Sequence, residues 1–432
     1  MLAALLLLPA PALAQAGEAE LLRALESAVD APSPGERRKK AQALAKRSDV
    51  SLEEWLALLP RFGRFDPVVP GEARYVAPLR VEGGVEETEV FVHVPASYDP
   101  GVAAPLMLMF HGSGGDGRGQ TRMWREVAEP LGMLVVAPSE TGANEGYGWT
   151  ERERASALEC LRWTRRAFNV DENRVFASGV SRGGHLAWDL ALRHPGTFAA
   201  LAPMIGGPRI QIRGGQNNFR YLENVAQLPI RDLQGAQDDP RLVLNLRMAF
   251  ERLRGFGASD AQLVEFEALG HAFDFAAVDW TLFLGSARRD PLAERVVRTC
   301  AREGEGRALW VEVLELEREI AEEFRPELAA GDAAQLDDEG MRRFLMQATG
   351  ERTARVEVRR LAPGRIEARS RGVRELRLLL TPAMLDEAGA LEVLFDGRPV
   401  KKKPRGSKSV LLEEFVERFD RTFLPLAEVE VK

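Results

Sequence analysis

Short apolar segments alternate with longer amphipathic ones between about residues 75 and 285. The apolar segments include PLMLMF (105–110), MLVVAP (133–138) and RVFASGV (174–180), and the segments between them have helical spacing of apolar residues. Continuous apolar strands that alternate with helices are typical of a parallel sheet covered on both faces. The sequence therefore predicts an α/β core with a mostly parallel sheet over residues 75–285.

Further regions flank this core, as expected for a chain of 432 residues, which exceeds the length of one average domain. Residues 17–70 predict a helical arm and a linker, because Leu21 and Leu25 keep helical spacing whereas Pro67 and Pro70 break it.

Residues 300–432 predict a β-rich accessory module at the C-terminus. Short alternating segments replace the strand–helix pattern, and Asp396-Gly397 is a hairpin signal between two of them. One predicted helix, VLLEEFVERFD (410–420), precedes a closing strand. Packing against the core is the preferred interpretation of this module, and carbohydrate binding is the alternative.

The first residues, MLAALLLLPAPALA (1–14), form an apolar run that ends in the small-x-small pattern Ala12-Leu13-Ala14. Such a run is typical of a cleaved export signal, and a buried N-terminal helix is the alternative. A helix that spans a bilayer needs about 20 residues, so stable membrane insertion is not expected. The sequence predicts an exported protein, periplasmic or extracellular.

Charge and cysteine content narrow the classes of function. The formal net charge of −7 and a pI near 5.6 argue against a nucleic-acid-binding surface. The two cysteines, Cys160 and Cys300, are too few for a disulfide framework and lack the neighbours of a zinc site. We expect two separate buried thiols, with a disulfide between them as the alternative.

Ser181 stands among glycines in VFASGVSRGGHLAW (175–188), where an apolar strand meets a helix. Residues 179–183 fit G-x-S-x-G in the strand–turn–helix context that a nucleophile elbow requires. Glycines at the flanking positions remove side chains that would collide with neighbouring elements. A helix N-cap serine is the alternative, but it does not need these glycines. We therefore predict Ser181 as a nucleophile.

A serine hydroxyl needs a base that takes its proton, and the chain has five histidines. His271 lies in GHAFDF, a loop that follows a strand after the nucleophile in the chain. A loop at the carboxyl edge of the sheet can bring an imidazole to Ser181, so we predict His271 as the base. The other histidines lie in an early strand, in a glycine loop or on the elbow helix: His93, His111, His185 and His194.

The third group of such a site is a carboxylate between the nucleophile and the base in the chain. The segment LPIRDLQGAQDDP (228–240) offers three candidates. Asp232 falls inside the predicted strand, so its side chain is not expected at the edge of the sheet. Asp238 follows that strand by a short turn, and we predict Asp238, with Asp239 as the alternative.

The glycine-rich loop HGSGGDG (111–117) supplies the remaining part of the predicted site. Attack on a carbonyl builds an oxyanion, which needs fixed N–H donors. We predict the backbone N–H groups of Arg182, directly after the nucleophile, and of Ser113 in this loop. A phosphate-binding loop is discounted because the segment lacks the G-K-[ST] ending of a P-loop.

The elbow, the glycine loop, GAQDDP and GHAFDF, in the chain order Ser, Asp, His, together resemble the α/β-hydrolase superfamily. Among its branches, the chain is similar to the extracellular esterases related to polyhydroxybutyrate depolymerases, feruloyl and acetyl-xylan esterases, and bacterial phospholipase/carboxylesterases. The resemblance covers residues 75–285. It implies a serine esterase that needs no metal and no organic cofactor.

The leading hypothesis is a secreted serine carboxylesterase whose partner is a small or polymer-linked ester. Two alternatives are a serine peptidase of the prolyl-oligopeptidase type and a polysaccharide-binding protein without activity. The arm is far too short for the propeller of such a peptidase. The acyl and alcohol groups of the substrate and the oligomeric state are left open. Loop residues that could contact a substrate are Trp149, Arg209, Arg213 and Tyr221.

Overall fold

The computed structural model describes residues 15–81, 84–140, 148, 150–210, 217–324, 326–328, 331 and 335–432. The predicted export signal, residues 1–14, therefore lies outside the described residues. The described chain begins with three helices, α1 (Gln15–Val29), α2 (Pro34–Ala45) and α3 (Leu52–Leu58).

Within the described residues, an eight-stranded sheet forms the centre of the α/β core. The strand order is β1-β2-β4-β3-β5-β6-β7-β8. Strands β3 to β8 are parallel to one another, whereas β2 is antiparallel to both β1 and β4. The predicted α/β core with a mostly parallel sheet is confirmed. The strands are β1 (Gly71–Val81), β2 (Gly84–Val94), β3 (Ala104–Phe110), β4 (Leu134–Pro138), β5 (Val170–Val180), β6 (Ala200–Met204), β7 (Ile230–Gly235) and β8 (Ala261–Phe266).

Helices cover both faces of this sheet. Side chains of β3 alternate between the faces: Leu106 and Leu108 pack with one group of helices, Met107 and Met109 with the other, and all four are fully buried. The first face carries α5 (Glu151–Ala167), α6 (Arg182–Arg193) and α7 (Pro240–Gly255), and the second carries α4 (Gly117–Leu131) and α8 (Trp280–Ser286). This two-sided burial explains why the sequence of β3 is apolar without interruption.

The C-terminal region is rich in β-structure, as predicted, and contains two further sheets with the orders β10-β11-β14-β17 and β16-β15-β13-β12-β9. Asp396 and Gly397 form the predicted hairpin turn between β15 and β16, with φ values of 46° and 81°. The elements are β9 (Arg295–Cys300), β10 (Arg307–Ala308), β11 (Val311–Leu316), α9 (Asp338–Glu351), β12 (Ala354–Ala362), β13 (Arg365–Arg371), β14 (Val373–Leu380), β15 (Leu391–Phe395), β16 (Arg398–Lys402), α10 (Lys408–Arg418) and β17 (Ala427–Val431).

The N-terminal helices pack against α10, so both ends of the described chain share one apolar cluster, here called the arm cluster. Phe62 lies edge-to-face against Phe415, with 5.5 Å between the ring centroids. Arg37 of α2 donates two hydrogen bonds to the Glu417 carboxylate. The arm is therefore part of the folded body and not a free extension. The arm cluster includes Leu25, Trp55, Phe62, Leu411 and Phe415.

Both cysteines are buried and free, which confirms the expected pair of separate thiols. Burial raises the pKa of the Cys160 thiol to about 12. Across the part of the chain that the structure describes, every helix is too short or too polar to cross a membrane.

Candidate active site

Ser181 occupies a strained turn between β5 and α6. Its φ of 56° and ψ of −116° lie outside the regions that side-chain-bearing residues usually adopt. A Cβ atom at Gly179 would lie 2.2 Å from the Gly183 carbonyl, and one at Gly183 would lie 2.1 Å from the Phe110 carbonyl oxygen. Only glycine fits at either position, so the sequence around Ser181 is dictated by the close approach of three backbone segments.

Three side chains form a hydrogen-bonded chain at the carboxyl edge of the sheet. The Ser181 hydroxyl lies 2.9 Å from His271 Nε2, and His271 Nδ1 lies 2.8 Å from Asp238 Oδ2. Donation from Nδ1–H to the carboxylate leaves Nε2 as the acceptor for the hydroxyl proton. The arrangement can therefore deprotonate Ser181 and stabilise the imidazolium that results.

Asp238 is held by two further donors. Gln234 Nε2 donates to Asp238 Oδ2 over 2.9 Å, and the Asp239 N–H donates to Oδ1 over 2.7 Å. Burial opposes ionisation of Asp238, but the hydrogen bonds from Gln234, His271 and Asp239 outweigh it and lower the pKa of this carboxyl below its ordinary value. Asp238 is thus kept as an anion facing His271.

The two neighbouring candidates have other positions. Asp239 is the N-cap of α7, where its side chain accepts from the Arg241 N–H over 2.9 Å. Asp232 is fully buried within β7 and accepts a hydrogen bond from Trp188 Nε1 over 2.7 Å. Burial raises the pKa of Asp232 well above its ordinary value.

The glycine loop runs directly beside the nucleophile. A Cβ at Gly112 would lie 3.2 Å from the Val180 carbonyl oxygen and 3.4 Å from the Ser181 Cβ, so the loop backbone packs closely against the turn that carries Ser181. His111 fixes the loop because its Nε2 accepts from the Glu140 N–H over 2.9 Å, which leaves Nδ1–H to donate to the Gly112 carbonyl over 2.7 Å. Ser113 follows on the rim of the same cavity as Ser181.

An open cavity of about 480 Å³ surrounds these groups. Arg182 starts α6, and the first N–H groups of a helix point outward from its N-terminus, where an anion is favoured. The donors predicted for an oxyanion, Ser113 and Arg182, therefore border the space above Ser181. Other residues that line the cavity are His185, Arg209, Asn245 and Arg342.

Several of these residues were not predicted from the sequence. One feature of the sequence points to Gln234: it is a polar residue in a buried strand, four residues before Asp238. Arg342 lies on α9 in the C-terminal region, where its Nε donates to Asn245 Oδ1 over 2.7 Å. No local pattern connects Arg342 to Ser181, because the contact depends on how the C-terminal region packs.

The loop residues considered as substrate contacts lie in different places in the structure. Arg209 lines the cavity, whereas Tyr221 is 1% exposed and belongs to the core, so the interpretation of Tyr221 as a surface contact is wrong. Trp149 and Arg213 lie outside the described residues. Among the residues that the structure describes, no group of three or more His, Cys, Asp or Glu side chains is placed to hold a metal ion.

Residues 85–226 match the family model "Putative esterase". This segment contains β2 to β6, the glycine loop and the elbow, and it ends before Asp238 and His271.

Three curated relatives are each 26% identical to the chain over the aligned residues. They are a bifunctional acetylxylan esterase/xylanase of Neocallimastix patriciarum, a poly(3-hydroxyalkanoate) depolymerase C of Paucimonas lemoignei and a feruloyl esterase C of Emericella nidulans. The alignments cover 39%, 28% and 39% of this chain and 23%, 31% and 66% of the respective relatives. The chain thus spans less than two thirds of the length of each.

Proposed function

We propose that the chain is an α/β-hydrolase of the esterase type and works as a serine carboxylesterase through an acyl-enzyme on Ser181. The observation that carries this proposal is the pair of hydrogen bonds, 2.9 Å and 2.8 Å long, that joins Ser181, His271 and Asp238. A base within about 3.2 Å of the hydroxyl meets the geometric condition for proton abstraction.

In the first half of the reaction, Ser181 Oγ attacks the ester carbonyl while its proton passes to His271 Nε2. The Asp238 carboxylate stabilises the imidazolium through the Nδ1 hydrogen bond. The backbone N–H groups of Ser113 and Arg182 are assigned to the developing oxyanion. The proton then passes from His271 to the leaving alcohol, and the acyl group stays on Ser181.

Water completes the second half of the reaction. The His271 side chain is 52% exposed, so its imidazole is open to water. His271 takes a proton from this water, the hydroxide attacks the acyl-enzyme, and Ser181 regains its proton as the acid is released.

Hydrolysis of p-nitrophenyl acetate and p-nitrophenyl butyrate tests this proposal. Ser181→Ala and His271→Ala are each expected to lower kcat/KM by at least about 10³-fold, because neither variant can form the activated alkoxide. Alanine at position 181 adopts the same strained backbone as serine, so Ser181→Ala should have the thermal stability of the wild type. A wild-type rate no greater than that of Ser181→Ala would contradict the proposal. Cleavage of peptide anilides in preference to esters would favour a serine peptidase instead.

We also propose that the protein is exported, on the basis of the apolar run in residues 1–14 and its ending at Ala14. Expression of the whole chain in a secreting bacterium should give a mature protein that begins at Gln15, as read by N-terminal sequencing. Retention of Met1 in the cytoplasmic fraction would contradict export while leaving the esterase proposal intact.

A further inference from the structure

A second cavity lies away from Ser181, where the helical arm, α5, the end of α6 and the segment after α10 meet. Its volume is about 270 Å³, which is several times the space that one water molecule occupies in the liquid. Among the described residues that line it are six arginines but four carboxylates. The arginines are Arg37, Arg162, Arg165, Arg289, Arg307 and Arg418.

Most of the charged groups around this cavity have partners. Arg37 binds the Glu417 carboxylate at 3.1 Å, Arg307 lies 3.2 Å from Glu414, and Arg289 lies 2.7 Å from Asp420. The two charges of each pair neutralise each other, so Glu414, Glu417 and Asp420 are already paired.

Arg165 is the exception among the buried arginines of the cavity wall. It projects from α5, it is 8% exposed, and within the described chain its Nε has no hydrogen-bond partner. Arg165 is among the residues that line the cavity. A buried cation without a partner is strongly unfavourable, so this position calls for a counter-ion.

The two carboxylates whose charges act on Arg165 are each ion-paired with another arginine. Arg165 feels the charges of Glu172 and Asp420, but Glu172 binds Arg421 at 2.7 Å and Asp420 binds Arg289 at 2.7 Å. The guanidinium groups of Arg165, Arg289 and Arg421 therefore share two carboxylates. These five described side chains together carry one excess positive charge.

His194 also lies on the cavity wall. Burial lowers the pKa of His194 to about 3, and the charges that add to this effect are all arginines, beginning with Arg298 and Arg418. The imidazole therefore stays neutral, and it offers a hydrogen-bonding surface without adding to the positive charge.

We propose that this cavity binds a small tetrahedral oxyanion, phosphate or sulfate, through the guanidinium of Arg165. The planar fork of a guanidinium donates two parallel hydrogen bonds to two oxygens of such an anion. The anion would neutralise the excess charge and join α5 to the arm and to the C-terminal segment. Its role is to stabilise the fold, because the catalytic groups line a different cavity.

Thermal unfolding of the full chain with and without inorganic phosphate tests the proposal, at constant ionic strength set with chloride. A ligand that binds only the folded state raises Tm in a saturable manner, and we expect a rise of about 2–4 °C. Arg165→Met should lose this rise. In phosphate-free buffer Arg165→Met should be at least as stable as the wild type, since it removes an unpaired buried charge.

Arg166→Met is the matched control. Arg166 is the next residue of α5, but it binds Asp30 at 3.0 Å and does not line the cavity, so the variant should keep the full response to phosphate. If Arg165→Met does not fold, Arg165→Lys replaces it, and its apparent Kd for phosphate should rise at least tenfold because the fork is lost.

Three results would overturn the proposal. These are a response to phosphate that is the same in Arg165→Met and the wild type, a wild-type Tm that does not saturate with phosphate, and an equal stabilisation by chloride alone. Sulfate in place of phosphate should reproduce the wild-type rise, whereas acetate should give a smaller one. Labelling of Ser181 does not enter this test, so failure here leaves the esterase proposal unaffected.

Discussion

Asp238 and Asp239 are adjacent in the chain, but their side chains bind different groups. Asp238 accepts a hydrogen bond from His271, the proposed base, whereas Asp239 caps α7. The sequence limited the candidates for the carboxylate that binds His271 to these two residues, because both follow the strand by a short turn. It could not show which side chain turns toward His271, since that depends on the N-cap geometry of α7.

Replacement of each aspartate by asparagine separates the two roles. Asp238→Asn should lower kcat/KM for p-nitrophenyl acetate by about 10²–10⁴-fold, because the neutral amide no longer fixes the tautomer of His271 or stabilises its cation. Asp239→Asn should leave kcat/KM nearly unchanged, since asparagine is an equally good N-cap. Equal losses in the two variants would contradict the assignment of Asp238.

Asp232 gives a prediction about pH and stability. Its pKa is raised in the folded state, so the folded protein holds a proton that the unfolded chain loses near pH 4. The stability that this proton provides is complete below the unfolded pKa and is lost as pH rises toward the folded pKa, with a slope of up to about 1.4 kcal/mol per pH unit. Asp232→Asn keeps an oxygen for Trp188 and has no charge to bury.

Asp232→Asn should therefore become increasingly stable relative to the wild type between pH 4.5 and pH 8. The measurement is the difference in Tm between the two proteins across this range. A difference that is independent of pH would mean that Asp232 ionises in the folded state without cost.

At the scale of single elements, α6 connects the elbow to the C-terminal region. Arg193, in its last turn, is fully buried and binds Asp189 at 3.1 Å, Glu305 at 2.8 Å and Glu322 at 2.6 Å. Burial opposes the charge of Arg193, but Asp189 and Glu305 outweigh it and raise its pKa. One end of α6 thus carries Ser181 and the other end anchors two carboxylates from beyond residue 300.

Arg193→Met should destabilise the protein by about 3–5 kcal/mol, because it removes the buried cation that Asp189, Glu305 and Glu322 share. The free energy of unfolding in urea measures this loss. Arg343→Met is the control, since Arg343 is 59% exposed and pairs only with its helix neighbour Glu339 among the described residues. Arg343→Met should leave the midpoint of unfolding nearly unchanged. A loss of similar size in both variants would show that the Arg193 network contributes nothing specific.

The strands and helices of the core could be predicted because each obeys a local pattern. The uninterrupted apolar run of β3 and the glycines around Ser181 both reflect close burial, and both are visible without a structure. Strand β9 and helix α9 were not predicted. β9 (RVVRTC) contains the buried Arg298, whose Nη2 donates to the Arg193 carbonyl, and this contact hides the apolar pattern of the strand.

At the scale of the whole molecule, the regions on either side of the core are joined to it and to each other. The arm packs on α10 through the arm cluster, Arg421 beyond α10 binds Glu172 of β5, and Arg342 of α9 reaches the rim of the active-site cavity. Such long-range contacts have no local signature in the sequence, so the packing of arm and module could not be predicted.

Deletion of residues 300–432 should therefore give a poorly soluble and less stable protein. It removes the α10 half of the arm cluster and two partners of Arg193. Ser181, Asp238 and His271 all remain, so any monomeric fraction isolated by gel filtration should still react with a fluorophosphonate. A truncated protein with the Tm of the wild type would contradict this view of the module, and so would a folded fraction that does not react.

The site and stoichiometry of reaction with a fluorophosphonate test most directly whether Ser181 is the nucleophile. We predict one adduct per chain by intact mass, located on Ser181 by peptide mapping, with loss of esterase activity in proportion to labelling. Ser181→Ala should give no adduct, and His271→Ala should react far more slowly because the hydroxyl is no longer activated. An adduct on another residue, or full activity after complete labelling, would contradict the claim that Ser181 is the nucleophile.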